Sequence, residues 1–446
     1  MNKLLFKKKW DSLLIEQQPE WSNYQEYESI IQTLSSYPKI VNEDEIFLLK
    51  EELKLINQNK SFVIQGGDCA ETFSNFNSDS IKNKVEILLQ MSAIIQYTSK
   101  MPVNIIGRIA GQYVKPRSQQ SETRDGMTLP SYKGDGINSI DFTSESREPN
   151  PKRLLTAYHQ SSSAMNLIRS LIMQGYTDIN QIKSWEKIFL QNQLLEKKYN
   201  TIFNKIRETL QFFETSHVLQ ASLKNFFISH EAILLDYENA FIYQNKNNQH
   251  YCCSSHMLWV GDRTRGLNSA HIQFASLISN PVGIKIGPNI NINDLNLLCK
   301  KINPNNEEGK LVLIIRLGNK NIESILPQLI ENVTYYGHNV IWFCDPMHGN
   351  TISAKNGYKT RRFETIINEI KLFFEIHRNY NTIPGGLHLE LTGDNVTECL
   401  GGIKNIKTED LDLRYETTCD PRLNNEQSLE VAFLIADLLK KENNIA

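Results

Sequence analysis

Short apolar, β-branched runs recur along the chain at 62–65, 103–106, 226–228, 257–260, 282–286, 311–315, 340–343 and 387–391. Most lack a clean alternation of apolar and polar positions. Strands buried on both faces read this way, as parallel strands do beneath a layer of helices. Between them, apolar residues return at three- and four-residue steps, for example at 80–97, 270–279, 321–334 and 362–374, which predicts helices. Eight strands alternating with helical connections predict an α/β protein built as a (β/α)8 barrel.

Two regions stand outside this beat. Residues 1–60 hold helical patterns at 26–34 and 44–57 around a Tyr37-Pro38 turn and read as an N-terminal extension to a barrel spanning 61–446. The connection between the second and third strands is too long for one helix. It opens with a loop over 110–150, containing KPRS and YKGDGIN; a structureless loop of this length is uncommon and usually functional. Asn150-Pro151 then supplies a helix N-cap and a first-turn proline. Gly175 ends that helix, a second starts at Thr177, and a third carries Leu195, Tyr199, Ile202, Ile206, Leu210 and Phe213 on one stripe. Such a seam seeks a partner helix. Residues from about 152 to 215 therefore read as a helical insertion.

Composition narrows the function classes. Acidic and basic residues nearly cancel, at 50 against 48, so no global charge draws the chain to nucleic acid or to an acidic membrane. No window approaches the roughly 18 uninterrupted apolar residues of a spanning helix, and the N-terminus has no apolar core of a signal peptide. The seven cysteines are odd in number and scattered, which argues for a reducing, cytoplasmic setting rather than a disulfide framework.

Chemistry gathers where the predicted strands end. In FVIQGGDCAETF, Gly66-Gly67 breaks the first strand and Asp68, Cys69 and Glu71 follow at once. The other strands run into Gly-Arg, Ser-His-Glu, Gly-Asp-Arg, Lys285, Arg316, Cys-Asp-Pro-Met-His and Glu390. Barrel enzymes carry their catalytic groups at these C-terminal ends. Cys69, His348, Glu390 and Asp420 stand out as metal ligands, since one thiolate, one imidazole and two carboxylates suit a borderline divalent ion. Taken singly, Cys69 reads as well as a packed thiol and His348 as a loop or core histidine. A second set is cationic: Arg108, Lys115, Arg117, Arg263, Arg265, Lys285, Arg316, Lys359 and Arg361. Such clustering in a chain of net charge −2 implies a substrate with more than one phosphate or carboxylate. Surface charge would account for Lys359 and Arg361. It accounts poorly for Lys285 and Arg316, which sit in or at the end of apolar strands, where an unpaired charge is costly.

The blocks QGGDCAETF, GRIAGQYVKPRS, AYHQS, SHEAILLDYE, HMLWVGDRTRG, NPVGIKIGP, CDPMHGNT, KTRRF, PGGLHLELTGDNVTECLGG and CDPRLN resemble, in order and nearly end to end, the class II 3-deoxy-D-arabino-heptulosonate 7-phosphate (DAHP) synthases. The resemblance implies a TIM barrel that condenses phosphoenolpyruvate with erythrose 4-phosphate at the start of the shikimate pathway. It places the metal ligands on Cys69, His348, Glu390 and Asp420, with Mn²⁺ first and Co²⁺, Zn²⁺ or Fe²⁺ as alternatives. Phosphoenolpyruvate falls to Arg108, Arg263, Lys285 and Arg316. Erythrose 4-phosphate falls to Lys115, Arg117 and Ser118, with Trp259, Glu231 and Lys359 as further contacts. Catalytic roles are expected of Arg108, Lys285, His348 and Glu231, the last as one candidate for activating water. A homo-oligomer with aromatic amino acid effectors is also implied. Two positions depart from the family pattern. Its usual Glu is Asp262 here, of little consequence if that position acts through its backbone, and its Tyr-Asp-Cys-Ser is Tyr251-Cys252-Cys253-Ser254. The alternatives are another phosphoenolpyruvate-dependent sugar-phosphate synthase on the same barrel, and a catalytically inactive regulatory barrel.

Overall fold

The computed structural model describes residues 3–173 and 226–443. Eight parallel strands close into a barrel: β1 (Phe62–Gly67), β2 (Val103–Arg108), β3 (Phe226–Glu231), β4 (Met257–Val260), β5 (Val282–Ile286), β6 (Leu311–Ile315), β7 (Ile341–Cys344) and β8 (Pro384–Glu390). The predicted (β/α)8 architecture is present, with the helices around the outside. Register fixes the site's geometry from the start. Gly67 of β1 lies opposite Arg108 of β2 and Glu390 of β8, so these residues stand level at the C-terminal rim.

Several strands differ from the apolar runs that announced them. β1, β2 and β3 continue through polar and glycine residues to Gly67, Arg108 and Glu231, because the ladder pairs backbone whatever the side chain. β8 begins three residues early, at Pro384. A Cβ at Gly386 would lie 2.7 Å from the Phe343 ring and one at Gly385 2.7 Å from Ile341 and Ile56, so glycine is what lets these neighbours pack.

Two apolar clusters flank the strands. The outer one joins strands to helices. The inner one fills the barrel with Val63, Ile106, Phe227, Met257, Trp259, Val312, Ile314, Ile341 and Phe343. Leu49, Leu53 and Ile56 belong to that inner cluster, so the helix Glu43–Lys54 and the turn after it floor the barrel. Its start is fixed by a capping box in which Asn42 and Glu45 exchange side-chain and backbone hydrogen bonds at 3.0 Å. This pairing satisfies two otherwise orphaned backbone groups.

The stretch 110–150, expected as an unstructured loop, is built. A hairpin pairs Ser121–Arg124 with Met127–Pro130 through Asp125-Gly126, both at positive φ, as a type I′ turn requires. Arg147, fully buried, donates to the carbonyls of Asp141, Pro130 and Ile140 and to Glu122. The helix Arg153–Met173 follows, with Asn150 accepting from the Lys152 amide at 3.0 Å. Its proposed end at Gly175 and the seam from Leu195 to Phe213 lie outside the described residues. Among the described residues no helix is long and apolar enough to cross a membrane.

Candidate active site

The strand ends and the loops after them enclose a cleft of about 550 Å³. Its lining brings Cys69, His348, Glu390 and Asp420 together with Arg108, Arg263, Lys285 and Arg316, and with Glu231 and Trp259. Residues up to 351 positions apart in sequence are thus brought together. A larger cavity of about 920 Å³ lies behind Asp68. Its buried Asp68 is matched there with Lys84 and with Arg422 at 2.7 Å.

Cys69, Glu390 and Asp420 each offer a ligand atom within 4.8 Å of the others. His348 stands beside this trio rather than within it. Its Nε2 lies 2.9 Å from Glu390 Oε1, and its Nδ1 lies 2.7 Å from Asp345 Oδ2. Asp345 caps the turn as well, accepting from the amides of Met347 and His348 at 3.1 Å. Lys115 Nζ sits between the ligands, 2.5 Å from Cys69 Sγ and 2.6 Å from Asp420 Oδ2. Burial disfavours its charge, but Cys419, Cys69, Asp420 and Glu390 outweigh burial and hold its pKa well above the usual lysine value. Burial, Cys419 and the carboxylate of Glu390 push the Cys69 thiol well up, against Lys115. For Glu390, burial is outweighed by His348, Arg361 and Arg108, which keep the carboxyl well below its usual range. The donor set is therefore one that favours a cation, and Lys115 provides the positive charge there.

The cationic residues are held by carboxylates, one buried beneath the cleft (Asp345) and one in its lining (Asp262). Lys285 pairs with Asp345. Arg316 Nη1 lies 2.8 Å from Asp262 Oδ2, and Arg265 Nε 2.8 Å from Asp262 Oδ1. The Asp262 side chain thus carries contacts of its own, contrary to a purely backbone role. The close approach of Gly287, whose added Cβ would sit 2.7 Å from that carboxylate, gives the shorter acid its place. Arg108 lies over the Trp259 ring at 5.2 Å, so Trp259, nearly fully buried, supports the arginine from below. Glu231 Oε1 is buried with no partner. Burial raises its pKa, while Lys285, His348 and Arg108 oppose the rise.

Three expected residues do not line the cleft. Ser118 reaches it through Arg263, whose Nη2 donates to Ser118 Oγ at 2.6 Å. Lys359, half-exposed, contacts Asp420 Oδ1 at 3.3 Å. Arg117 turns to Glu122 of the hairpin at 2.8 Å, and its amide donates to Gln17. The reading of Arg361 as surface charge is overturned. It is fully buried, with Nη1 2.7 Å from Glu390 Oε2 and Nε donating to Thr351. Asp345, Gln65 and His388 escaped the sequence reading. His388 had a usable signal, because the two-residue period of a strand puts it on the same side as Glu390.

A parallel barrel with potential ligands beside a cluster of cationic residues at its C-terminal rim defines an enzyme for a polyanionic small molecule. Residues 5–436 match the class-II DAHP synthetase family, and the chain belongs to it. It is 44% identical over 436 residues to a phospho-2-dehydro-3-deoxyheptonate aldolase of Streptomyces coelicolor, covering 97% of each chain. It is 42% identical over 432 residues to one of Mycolicibacterium smegmatis, covering 95% of this chain and 92% of that one.

Proposed function

We propose that the chain condenses phosphoenolpyruvate with erythrose 4-phosphate and water to give DAHP and phosphate, the first step of the shikimate pathway, in the cytoplasm. The observation that carries the reading is the placing of three ligand atoms within 4.8 Å of one another in the same cleft as Arg108, Arg263, Lys285 and Arg316. The donor set fits a divalent cation, since an ammonium already stands between its thiol and one carboxylate. Cys69, Glu390, Asp420 and His348 would hold Mn²⁺, with Co²⁺, Zn²⁺ or Fe²⁺ suited to the same mixed donors. Such an ion supplies Lewis-acid polarisation of the aldehyde carbonyl of erythrose 4-phosphate.

The chain's own groups do the rest. Arg108, Arg263, Lys285 and Arg316 bind the phosphate and carboxylate of phosphoenolpyruvate, and fix its methylene carbon toward the aldehyde carbon. Lys115 takes the sugar phosphate at the cleft, with Arg117, Ser118 and Lys359 reaching it from outside the lining. A carbon–carbon bond forms between methylene and aldehyde carbons while water adds to the carbon bearing the phosphate ester. Phosphate then leaves with its bridging oxygen as the newly added hydroxyl gives up its proton and becomes the ketone, and the aldehyde oxygen takes up a proton to end as a hydroxyl. Glu231, with an unpartnered buried oxygen beside Gly261, accepts the proton released by that water. A homo-oligomer and control by aromatic amino acids belong to the same proposal, through the family resemblance.

Phosphate release from phosphoenolpyruvate that requires erythrose 4-phosphate tests the reading. Release with another aldose phosphate instead would mark a different synthase, and none from folded protein would mark an inactive barrel. Arg117→Ala is expected to raise KM for erythrose 4-phosphate about tenfold, the worth of one charge-assisted contact, while leaving KM for phosphoenolpyruvate nearly unchanged. Equal rises would refute the division of the two phosphates. Lys285 gives a pH signature. Burial pulls its pKa down to about 8, against the pull of Asp345, so its charge is present below that pH and lost above it. Measured from about pH 6 to about pH 10, kcat/KM for phosphoenolpyruvate, which reports groups of the free enzyme, should fall on the alkaline side. In Lys285→Arg that limb should vanish, because a guanidinium stays charged.

A further inference from the structure

We infer that His388 is a positioning residue for Arg108, acting through a closed, one-way hydrogen-bond circuit across four barrel strands; this rests on the reading of Arg108 as a ligand of phosphoenolpyruvate. Arg108 Nη1 lies 2.6 Å from His388 Nε2. A guanidinium only donates, so Nε2 must accept and the neutral imidazole carries its hydrogen on Nδ1. Nδ1 lies 2.6 Å from Gln65 Oε1, which fixes the amide's orientation. Gln65 Nε2 therefore donates to Ser229 Oγ at 2.8 Å, and the Ser229 hydroxyl donates to the Gly107 carbonyl at 3.3 Å. The circuit ends on the residue before the one where it began.

Every member is set by the fold. Gln65 lies opposite His388 in the β1–β8 ladder, and Gly107 is the neighbour of Arg108 on β2. His388, Gln65 and Ser229 are fully buried. Trp259 meets the imidazole edge-on, at 5.1 Å and 88°, so the ring is held between an indole and an amide. The layer beneath is apolar, and polar groups buried above it cost stability unless all are satisfied. Here the circuit satisfies them in one sense only, and its output is the direction of Nη1. Of the other four N–H groups of Arg108, that of Nε goes to the Asp68 carbonyl and the two of Nη2 to the Cys69 carbonyl and Glu390 Oε1, at 3.1–3.3 Å, which leaves the second N–H of Nη1 for the substrate. His388 thus sets the remaining edge of the guanidinium plane.

The test compares His388→Gln with His388→Asn. A Gln carbonyl reaches the position of ring Nε2 and still accepts from Arg108, whereas Asn stops at the position of Nδ1. KM for phosphoenolpyruvate should rise about tenfold or more in His388→Asn, the loss expected for a charge-assisted contact, and clearly less in His388→Gln. In both, kcat should change less than KM. Gln65→Leu, a milder change that serves if the His388 variants do not fold, should also raise KM, by freeing the ring. Arg108→Ala combined with Gln65→Leu should be no worse than Arg108→Ala alone. The inference fails if KM for phosphoenolpyruvate stays within about twofold in His388→Asn or Gln65→Leu while Tm alone falls. If Arg108→Ala itself leaves that KM unchanged, the reading of Arg108 as the substrate's ligand is what fails, and the inference goes with it.

Discussion

Cys69→Ala should lower turnover by about three orders of magnitude, several kcal/mol of lost Lewis-acid stabilisation, and chelation of wild-type protein should do the same. The argument starts from the cluster. Cys69 is the only thiol in the trio of ligand atoms, and its thiolate would add a negative charge and a further donor to a site otherwise made of carboxylate oxygens and one imidazole. Removing it leaves Lys115 with Asp420 at 2.6 Å. The ammonium then competes with the ion for that oxygen with no thiolate to draw it away. Metal affinity should therefore fall with activity, and excess Mn²⁺ should restore the chelated wild type but not the variant. Fold stability should change little, since one small buried atom is removed. Calorimetric titration with Mn²⁺ and a thermal melt separate the two effects. A Cys69→Ala protein that binds Mn²⁺ like wild type would remove Cys69 from the ligand set.

The barrel was legible because burial on both faces writes continuous apolar runs into a sequence, and eight of them leave few alternatives. The strand ends were legible for a related reason. Ionisable residues in or just beyond such runs, as with Lys285, Arg316 and Cys69, have nowhere to go but the rim. What stayed hidden depends on partners that sequence does not name. An amphipathic helix at Glu43–Lys54 shows an apolar face but not that this face floors the barrel. Arg361 looks like any arginine in a basic run; its burial comes from the hairpin pairing Ile352–Ser353 with Lys359–Thr360 and from the Pro421 carbonyl above it. The hairpin within 110–150 did leave a trace, the Asp125-Gly126 pair, which is among the stronger short-range turn signals. The Tyr251-Cys252-Cys253-Ser254 departure also resolves locally. Cys252, where the family has Asp, is buried, with its Sγ 3.5 Å from the Glu238 carboxylate and 3.2 Å from Ser254 Oγ.

Glu398→Ala should be the most destabilising single change near the site, by about 3–5 kcal/mol, the scale for removing one partner of a buried ion pair. Glu398 is fully buried, and each of its oxygens is shared. Oε1 accepts from the amides of Glu416 and Thr417 at 3.1 and 2.8 Å and from Arg422 Nη2 at 2.7 Å. Oε2 accepts from the Arg422 amide at 2.7 Å and from its Nε at 3.0 Å. One carboxylate thus staples both ends of the loop that carries Cys419 and Asp420. Arg422 passes the connection on, with Nη1 2.7 Å from Asp68 Oδ1, next to Cys69. Burial would raise the Asp68 pKa, but Lys84 and Arg422 outweigh it and hold the carboxyl low, so the Arg422–Asp68 contact is one of full charges. Without Glu398 the guanidinium keeps a single carboxylate and two loop amides lose their acceptor. Asp420 then loses its fixed distance from Cys69 and Glu390, so Mn²⁺ affinity should fall together with Tm. Glu398→Gln keeps the shape and one acceptor oxygen but points an N–H at Arg422, and should fall between wild type and Glu398→Ala in both measurements. A Glu398→Ala protein with lowered Tm but wild-type Mn²⁺ affinity would show that Asp420 is placed by other contacts, such as Thr417 Oγ1 donating to its carbonyl at 2.9 Å.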